Sequence, residues 1–335
     1  MSLLSPVSWL YCVGADLRNK LYGRGLFRSY SLGAKTVSIG NITAGGTGKT
    51  PLVALVAKIF SEKGEKVCIL TRGYGRNNES ARVVVSDGST VLVDSSTGGD
   101  EPVELARKLV GKAIVIADPD RVDAAKFAIE NFGVTAFVMD DGFQHRRARR
   151  DLDIVCIDAT DPFGGGKTLP QGRLRESVNH LSRAGAIVIT RSNRGKDVDG
   201  LNERLSRYVR SGRIFTASDR LSKVVRLHDG NILKAADVRH AFAFCGLGNP
   251  NVFFDLLLSE GFDVAAKRAF ADHHKYSTDD IKSIESMARS NGAKALVTTA
   301  KDAVKLDGVR FKLPCFVVEI ETTVSQGFRE LIMGI

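Results

Sequence analysis

The chain is short of the residues that build covalent or metal frameworks. Its 335 residues include five cysteines, at positions 12, 68, 156, 245 and 315, scattered and without a C-x-x-C pair. That pattern predicts neither a disulfide scaffold nor a zinc site, and it suits a reducing cytoplasm. Aromatic residues make up only 7% of the sequence, and no RNP, KH or helix-turn-helix pattern occurs. Stacking platforms are therefore not expected, and no nucleic-acid partner is predicted despite a net charge of +10. No G-x-S-x-G elbow occurs, so a Ser-His-Asp hydrolase is not predicted. The carboxylate of N/T-K-x-D, which reads guanine in many P-loop proteins, is missing where the apolar run from Ala186 ends in Thr190-Arg191-Ser192-Asn193, and this favours ATP. The N-terminal apolar stretch is interrupted by Asp16 well short of the roughly 20 residues of a membrane span, and no basic residue precedes it as in a signal peptide.

What is present begins with bulk: 43% hydrophobic residues over 335 positions can bury a sizeable core, and the length favours two domains. The excess of base over acid favours an acidic partner, such as an anionic membrane or a phosphorylated substrate. Short apolar runs at Val67 to Leu70, Ile114 to Ala117, Ala136 to Met139, Ile154 to Ile157 and Ala186 to Thr190 alternate with helical stretches. That alternation predicts an α/β fold with a mostly parallel sheet covered on both faces. The run "KVVRLHDGNILK" predicts a hairpin turning at Asp229-Gly230, and strands at Ala241 to Cys245, Ala295 to Thr299 and Cys315 to Glu319 predict a second, smaller α/β unit. The expected organisation is an N-terminal segment over 1–34, a P-loop domain over 35–220, a hairpin linker over 221–234 and the smaller unit over 235–335.

The most informative stretch is "TAGGTGKT", residues Thr43, Ala44, Gly45, Gly46, Thr47, Gly48, Lys49 and Thr50. A Gly-rich loop lets backbone N–H groups close on phosphates, Lys49 adds a positive charge, and the Thr50 hydroxyl is the usual oxygen ligand for the Mg²⁺ that accompanies ATP. Its first position is Thr43 rather than Gly, so context decides. A short β-branched strand from Lys35 precedes it, and Leu52, Leu55, Val56, Ile59 and Phe60 follow Pro51 at helical spacing. A second Gly-Lys-Thr at 166–168 is followed by Leu169-Pro170, which forbids a helix start, and is read as a mobile loop. Asp140 and Asp141 end the strand from Ala136, where ligands bind in open α/β sheets, and Gln144 lies close enough to join a metal or water shell. Asp100 and Glu101 in "GGDEP", and Asp272, His273 and His274 in "FADHHKYS", supply candidate bases. Arg72, Arg121 and Arg175 are candidate phosphate ligands.

The N-terminal stretch places Leu4, Val7, Leu10, Leu17 and Leu21 near one helical face, with Trp9, Tyr11 and Tyr22 as amphipathic aromatics and Arg18, Lys20, Arg24 and Arg28 alongside. Such a helix suits an anionic membrane surface, the alternative being a helix packed on its own protein.

Taken in order, "SWLYCVGADLRNKLYGRGLFRSYSL", "VSIGNITAGGTGKTP", "LTRGYGR", "GGDEPVELA", "MDDGFQHRRARRDLDIVCID", "LPQGRLRES", "FCGLGNP", "FADHHKYS" and "TTAKDAVKL" resemble the tetraacyldisaccharide 4′-kinases of Gram-negative bacteria over nearly the whole chain. Thr in place of the first P-loop Gly is a habit of that family. The resemblance implies transfer of phosphate from ATP to the 4′-hydroxyl of tetraacyldisaccharide 1-phosphate, peripherally at the cytoplasmic face of the inner membrane, without an obligate protein partner. It places an aspartate–histidine dyad at Asp100 and His273 and assigns Lys49 to the β and γ phosphates. It also implies Thr50, Asp140, Asp141, Gln144 and Glu176 in or around a Mg²⁺ site, with Arg72, Glu101, Arg121 and Arg175 as substrate or phosphate contacts. The family's "LPAGxLREP" and "FPDH" carry Gln171, Ser177 and Ala271 here, substitutions that remove no charged group. A nucleotide switch that hydrolyses ATP or GTP without lipid, and a membrane-bound scaffold without catalysis, are the rival classes.

Overall fold

The computed structural model describes residues 5–210 and 212–335. Leu4, counted above on the N-terminal helical face, lies outside them. The strands are β1 (Lys35–Asn41), β2 (Val67–Thr71), β3 (Val83–Ser86), β4 (Ala113–Ala117), β5 (Ala136–Asp140), β6 (Leu152–Asp158), β7 (Ala186–Thr190) and β8 (Ile214–Arg226). They continue with β9 (Ile232–Leu233), β10 (Ala241–Cys245), β11 (Val264–Ala269), β12 (Ala295–Thr299) and β13 (Cys315–Val324). All belong to one sheet in the order β11-β10-β12-β13-β8-β7-β6-β1-β5-β2-β4-β3, with β9 added to β8.

The larger half runs from β7 to β3 and is parallel except at the β3 edge. Its inner strands are buried along their whole length, which is why they read as unbroken apolar runs rather than alternating ones. The helix Lys49–Glu62 buries Leu52, Val53, Val56, Ile59 and Phe60 against β1, β2 and β5. β1 sits at the centre, between β5 and β6, so the P-loop that follows it emerges in the middle of the carboxyl edge.

The expected hairpin forms, with Val224 opposite Leu233 and Val225 opposite Ile232. It does not mark a clean boundary, because β8 starts at Ile214 and runs through residue 220 without a break. Near Ile214 it pairs parallel with β7; along its length it pairs antiparallel with β13 from Ala217–Val324 to Arg226–Phe316. The two halves are thus joined by a two-stranded ribbon. The chain also returns: the helix Phe328–Met333 buries Phe328 and Ile332 in the same core as the Lys49–Glu62 helix, so the last residues pack on the larger half.

One close packing in this frame makes a sharp prediction. A methyl at Gly40 would lie 2.6 Å from the Phe143 Cβ and 2.7 Å from its amide nitrogen. Backbone at that distance cannot move aside alone, so Gly40→Ala should destabilise the fold by about 1–3 kcal/mol, read as a lowered midpoint in urea unfolding. An unchanged midpoint would show that β1 and the 141–144 turn are not in this contact.

Candidate active site

The loop between β1 and the helix Lys49–Glu62 explains its unusual first residue. Left-handed backbone is needed at Gly45 (φ 108°) and Gly48 (φ 74°), not at Thr43. Thr43 is extended, buried and bridged antiparallel to Leu174, so a β-branched residue suits it. The Asn41 amide donates to the Thr43 carbonyl at 2.7 Å and to Thr47 Oγ1 at 2.9 Å, while Thr190 Oγ1 donates to the Thr47 carbonyl at 2.8 Å. Thr43 and Ala44 therefore tie the loop down, the Ala44 amide through the Arg173 carbonyl, and Gly45 to Thr50 face the cleft. The Gly164-Gly165-Gly166 stretch forms a short left-handed turn packed on Thr43 and Arg173 and opens no helix, as expected of a segment ending in Leu169-Pro170. Thr168 Oγ1 donates to the Ser8 carbonyl, which pins this loop to the N-terminal helix.

A cleft of about 800 Å³ lies between the halves. One wall carries Gly45 to Thr50, Arg72, Tyr74, Glu101, Asp140, Asp141 and Arg175; the other carries Gly248, Asn249, Phe253, Asp272, His273 and Lys301. The halves approach closely here, since a side chain at Gly248 would come within 3.8 Å of the Gly46 amide. Four non-glycine residues have left-handed backbone among the described residues, namely Asp141, Arg191, His240 and His273, and three of them line this cleft. Strain of order 1–3 kcal/mol at each such position persists where the surroundings enforce it, and such positions cluster at functional sites.

The acidic end of β5 divides into two unlike carboxylates. Asp141 is 3.4 Å from Lys49 Nζ and accepts from Arg175 Nη1 at 2.6 Å. Against the cost of burial, those two cations hold it down at about 2. Asp140 is buried and, among the described residues, has only Thr71 Oγ1 as a donor, at 3.2 Å. Burial first, then Glu101 and Asp141, push it up to about 7. The residues fit a hard cation: Thr50, Asp140 and Asp141 line the cleft beside the phosphate loop, and buried Asp141 Oδ1 has, among the described residues, only the 3.4 Å approach of the Lys49 ammonium to balance it.

Opposite them, His273 Nδ1 stands 3.3 Å from Asp100 Oδ2, with the Tyr74 ring edge-on to the imidazole at 5.6 Å. The two come from different halves. Asp100 opens the helix Asp100–Lys108 in the larger half, and His273 follows β11 in the smaller one. Asp100 lies behind His273 rather than on the cleft wall.

Three expected site residues are placed elsewhere. Glu176 is completely buried beneath the N-terminal helix, where it accepts from Asn19 at 3.0 Å, Gln144 at 2.8 Å and Arg183 at 2.5 Å. Its carboxylate is engaged by these donors and does not line the cleft, so its link to the acids of the cleft runs through Gln144. Gln144 does not line the cleft, and its Nε2 donates to Glu176 and to the Asn41 carbonyl, so it supports the P-loop strand from behind. Arg121 is buried, donates to the Pro119 carbonyl and bears electrostatically on Asp140 and Asp141 without lining the cleft.

Residues that sequence reasoning passed over include Lys301, Asp272 as Lys301's partner, Arg191, Arg194 and Asp219. Lys301 follows β12 just as Asp140 ends β5, so the strand-end rule that found one reaches the other. Asp219 lies within β8 and carries no local signal.

A phosphate loop facing paired acids on one wall and an acid-oriented imidazole on the other defines a P-loop kinase. A family model described as Tetraacyldisaccharide-1-P 4′-kinase matches residues 1–335. The tetraacyldisaccharide 4′-kinase of Geobacter metallireducens is 38% identical over 93% of this chain and 90% of its own length. That of Syntrophus aciditrophicus is 36% identical, covering 99% of this chain and 92% of the relative. Among solved structures, LpxK from Aquifex aeolicus in complex with ATP superposes with a TM-score of 0.79 at 28% identity, over 99% of this chain and 98% of that one. The chain belongs to the tetraacyldisaccharide 4′-kinase family, ATP-dependent kinases of lipid A biosynthesis.

Proposed function

We propose that this chain transfers the γ-phosphoryl group of ATP to the 4′-hydroxyl of tetraacyldisaccharide 1-phosphate at the cytoplasmic face of the inner membrane. The observation that carries the reading is the opposition, across one cleft, of Lys49 beside Asp141 and of His273 backed by Asp100. An alcohol attacking ATP needs placement and a proton acceptor more than covalent chemistry. The 4′-oxygen forms its bond to the γ-phosphorus as the bond to the β-bridging oxygen breaks, ADP leaves, and the hydroxyl proton passes to His273. Lys49 and the Gly45 to Gly48 amides hold the phosphates, with Arg72 and Arg175 available at the same wall. Thr50, Asp140 and Asp141 would hold Mg²⁺, which supplies charge neutralisation on the β and γ phosphates. Label transfer from γ-labelled ATP into lipid tests the whole reading.

The membrane reading rests on the helix Ser5–Gly23, which is built inside out for a soluble protein. Ser8 and Asn19 are its buried residues, while Val7, Trp9, Leu10, Tyr11, Val13 and Leu17 are exposed, Trp9 at 65%. Polar contacts seat it: the Ser8 hydroxyl accepts from the Gln171 amide, and Asn19 bonds Glu176 and His180. Arg18, Lys20, Arg24 and Arg28 are exposed beside the apolar face. No helix among the described residues is long and apolar enough to cross a membrane, so the helix is read as lying on the surface. Each apolar side chain buried in lipid contributes about 1.5–3 kcal/mol. The double substitution Trp9→Glu, Leu10→Glu should therefore reduce sedimentation with anionic vesicles about tenfold or more while the far-UV circular dichroism stays unchanged. Undiminished sedimentation would refute the anchor.

A further inference from the structure

The segment "AKDAVK", 300–305, belongs to a motif that the chemistry above leaves without a role. It places two cations one turn apart on either side of the dyad. Lys305 Nζ, almost fully buried, lies 2.8 Å from Asp302 and 3.9 Å from Asp100 Oδ2. Lys301 Nζ donates to Glu101 at 3.0 Å and to Asp272 at 3.2 Å, and stands 3.4 Å from His273 Nε2. Burial would lower the Lys301 ammonium, but Glu101 and Asp272 outweigh it and hold it above its ordinary value, so it is charged.

An ammonium has three donors and no acceptor, so the imidazole nitrogen it meets must offer a lone pair. A neutral imidazole has one donor and one acceptor, which puts the proton on Nδ1, facing Asp100. The point matters because His273 stands between two carboxylates: Asp100 Oδ2 is 3.3 Å from Nδ1, and Asp272 Oδ1 is 3.9 Å from Nε2. Either could accept a ring proton. Lys301 covers the Asp272 carboxylate and faces Nε2 at once, so it breaks the tie.

We propose that Lys301 is a positioning residue that fixes His273 in the tautomer protonated at Nδ1, leaving the Nε2 lone pair for the acceptor hydroxyl. The inference rests on the reading of Asp100 and His273 as the proton-accepting pair. Without Lys301 the ring is free to donate from Nε2 to Asp272, and a nitrogen that already carries a proton cannot accept the one from the sugar. When substrate enters, its hydroxyl takes the place of Lys301 at Nε2, while Glu101 and Asp272 keep the ammonium nearby.

The test uses the full chain labelled with ¹⁵N-histidine, with His273 assigned by its loss in His273→Gln, and reads each ring nitrogen by long-range ¹H–¹⁵N correlation at pH 8. In the unsubstituted protein His273 Nε2 should appear unprotonated. In Lys301→Met it should become protonated, and kcat should fall about tenfold or more with KM for ATP changed far less, the ceiling being the ~10²–10⁴-fold loss of a general base itself. Lys301→Arg, also donor-only, should restore the unprotonated Nε2. Glu101→Gln, which removes the ion pair across the cleft but leaves Lys301 beside His273, should keep it as well. An unprotonated Nε2 in Lys301→Met, or a protonated one in folded Lys301→Arg, would overturn the proposal. Because the spectrum needs no turnover, its failure is distinguishable from failure of the kinase reading, which only the transfer assay addresses.

Discussion

Replacing either Asp100 or His273 by alanine should lower kcat by about a hundredfold or more, the usual range for loss of a general base, while ATP affinity changes little. The expectation follows from where the two side chains stand. His273 lines the cleft and Asp100 supports it from behind at 3.3 Å, and neither belongs to the phosphate loop. Asp100→Ala would leave Nδ1 without the carboxylate that faces it, so the ring would be present but no longer oriented from behind. Residues that act as a unit are not additive, and the double variant should be little worse than the worse single one. Stopped-flow nucleotide binding beside steady-state turnover checks this. Equal loss of binding and turnover in both single variants would mean that the halves had come apart rather than that a proton acceptor had been removed.

The second large effect is expected at Lys49. Its ammonium is mostly buried at the start of the Lys49–Glu62 helix, and its nearest carboxylate is Asp141 at 3.4 Å. When phosphates enter, the helix N-terminus and this cation are the positive groups already aimed at them. Lys49→Ala removes the charge that meets the transferring group and also leaves Asp141 with only Arg175 to balance it. A fixed donor to a developing charge is typically worth a factor of 10²–10³, so turnover should fall by about that much. Lys49→Arg should not rescue fully, since a planar fork cannot occupy the position of a compact ammonium. Turnover by Lys49→Ala within about threefold of the unsubstituted enzyme would show that this loop does not hold the reacting phosphates.

Much of this arrangement was written locally in the sequence. β1, β2, β4, β5, β6 and β7 were readable because parallel strands buried on both faces become continuous apolar runs, and the P-loop was readable because strand, glycines and helix lie within thirty residues of one another. The edge strands β3 and β11 were missed for the opposite reason. β11, "VAAKRA", is only partly buried and carries Lys267 and Arg268, so it shows no apolar signature. The hairpin turn at Asp229-Gly230 is a strong local signal and was legible, whereas the β8–β13 pairing that joins the halves links residues about a hundred positions apart and has none. Glu176 shows the limit of motif matching: its position in the chain was compatible with a metal site, and only its three donors reveal that it braces the N-terminal helix against the P-loop strand. The Lys301 contacts belong to the same kind, since they join residues from 101, 272 and 273.

The central claim is that the phosphoryl group held by this loop goes to a lipid sugar. Purified protein in detergent, incubated with Mg²⁺, γ-labelled ATP and tetraacyldisaccharide 1-phosphate, should move label into the lipid fraction, and Lys49→Ala should slow that transfer by the same factor of about 10²–10³. Label released only as free phosphate, at a rate indifferent to the lipid, would contradict the account and make the chain a nucleotide-hydrolysing switch.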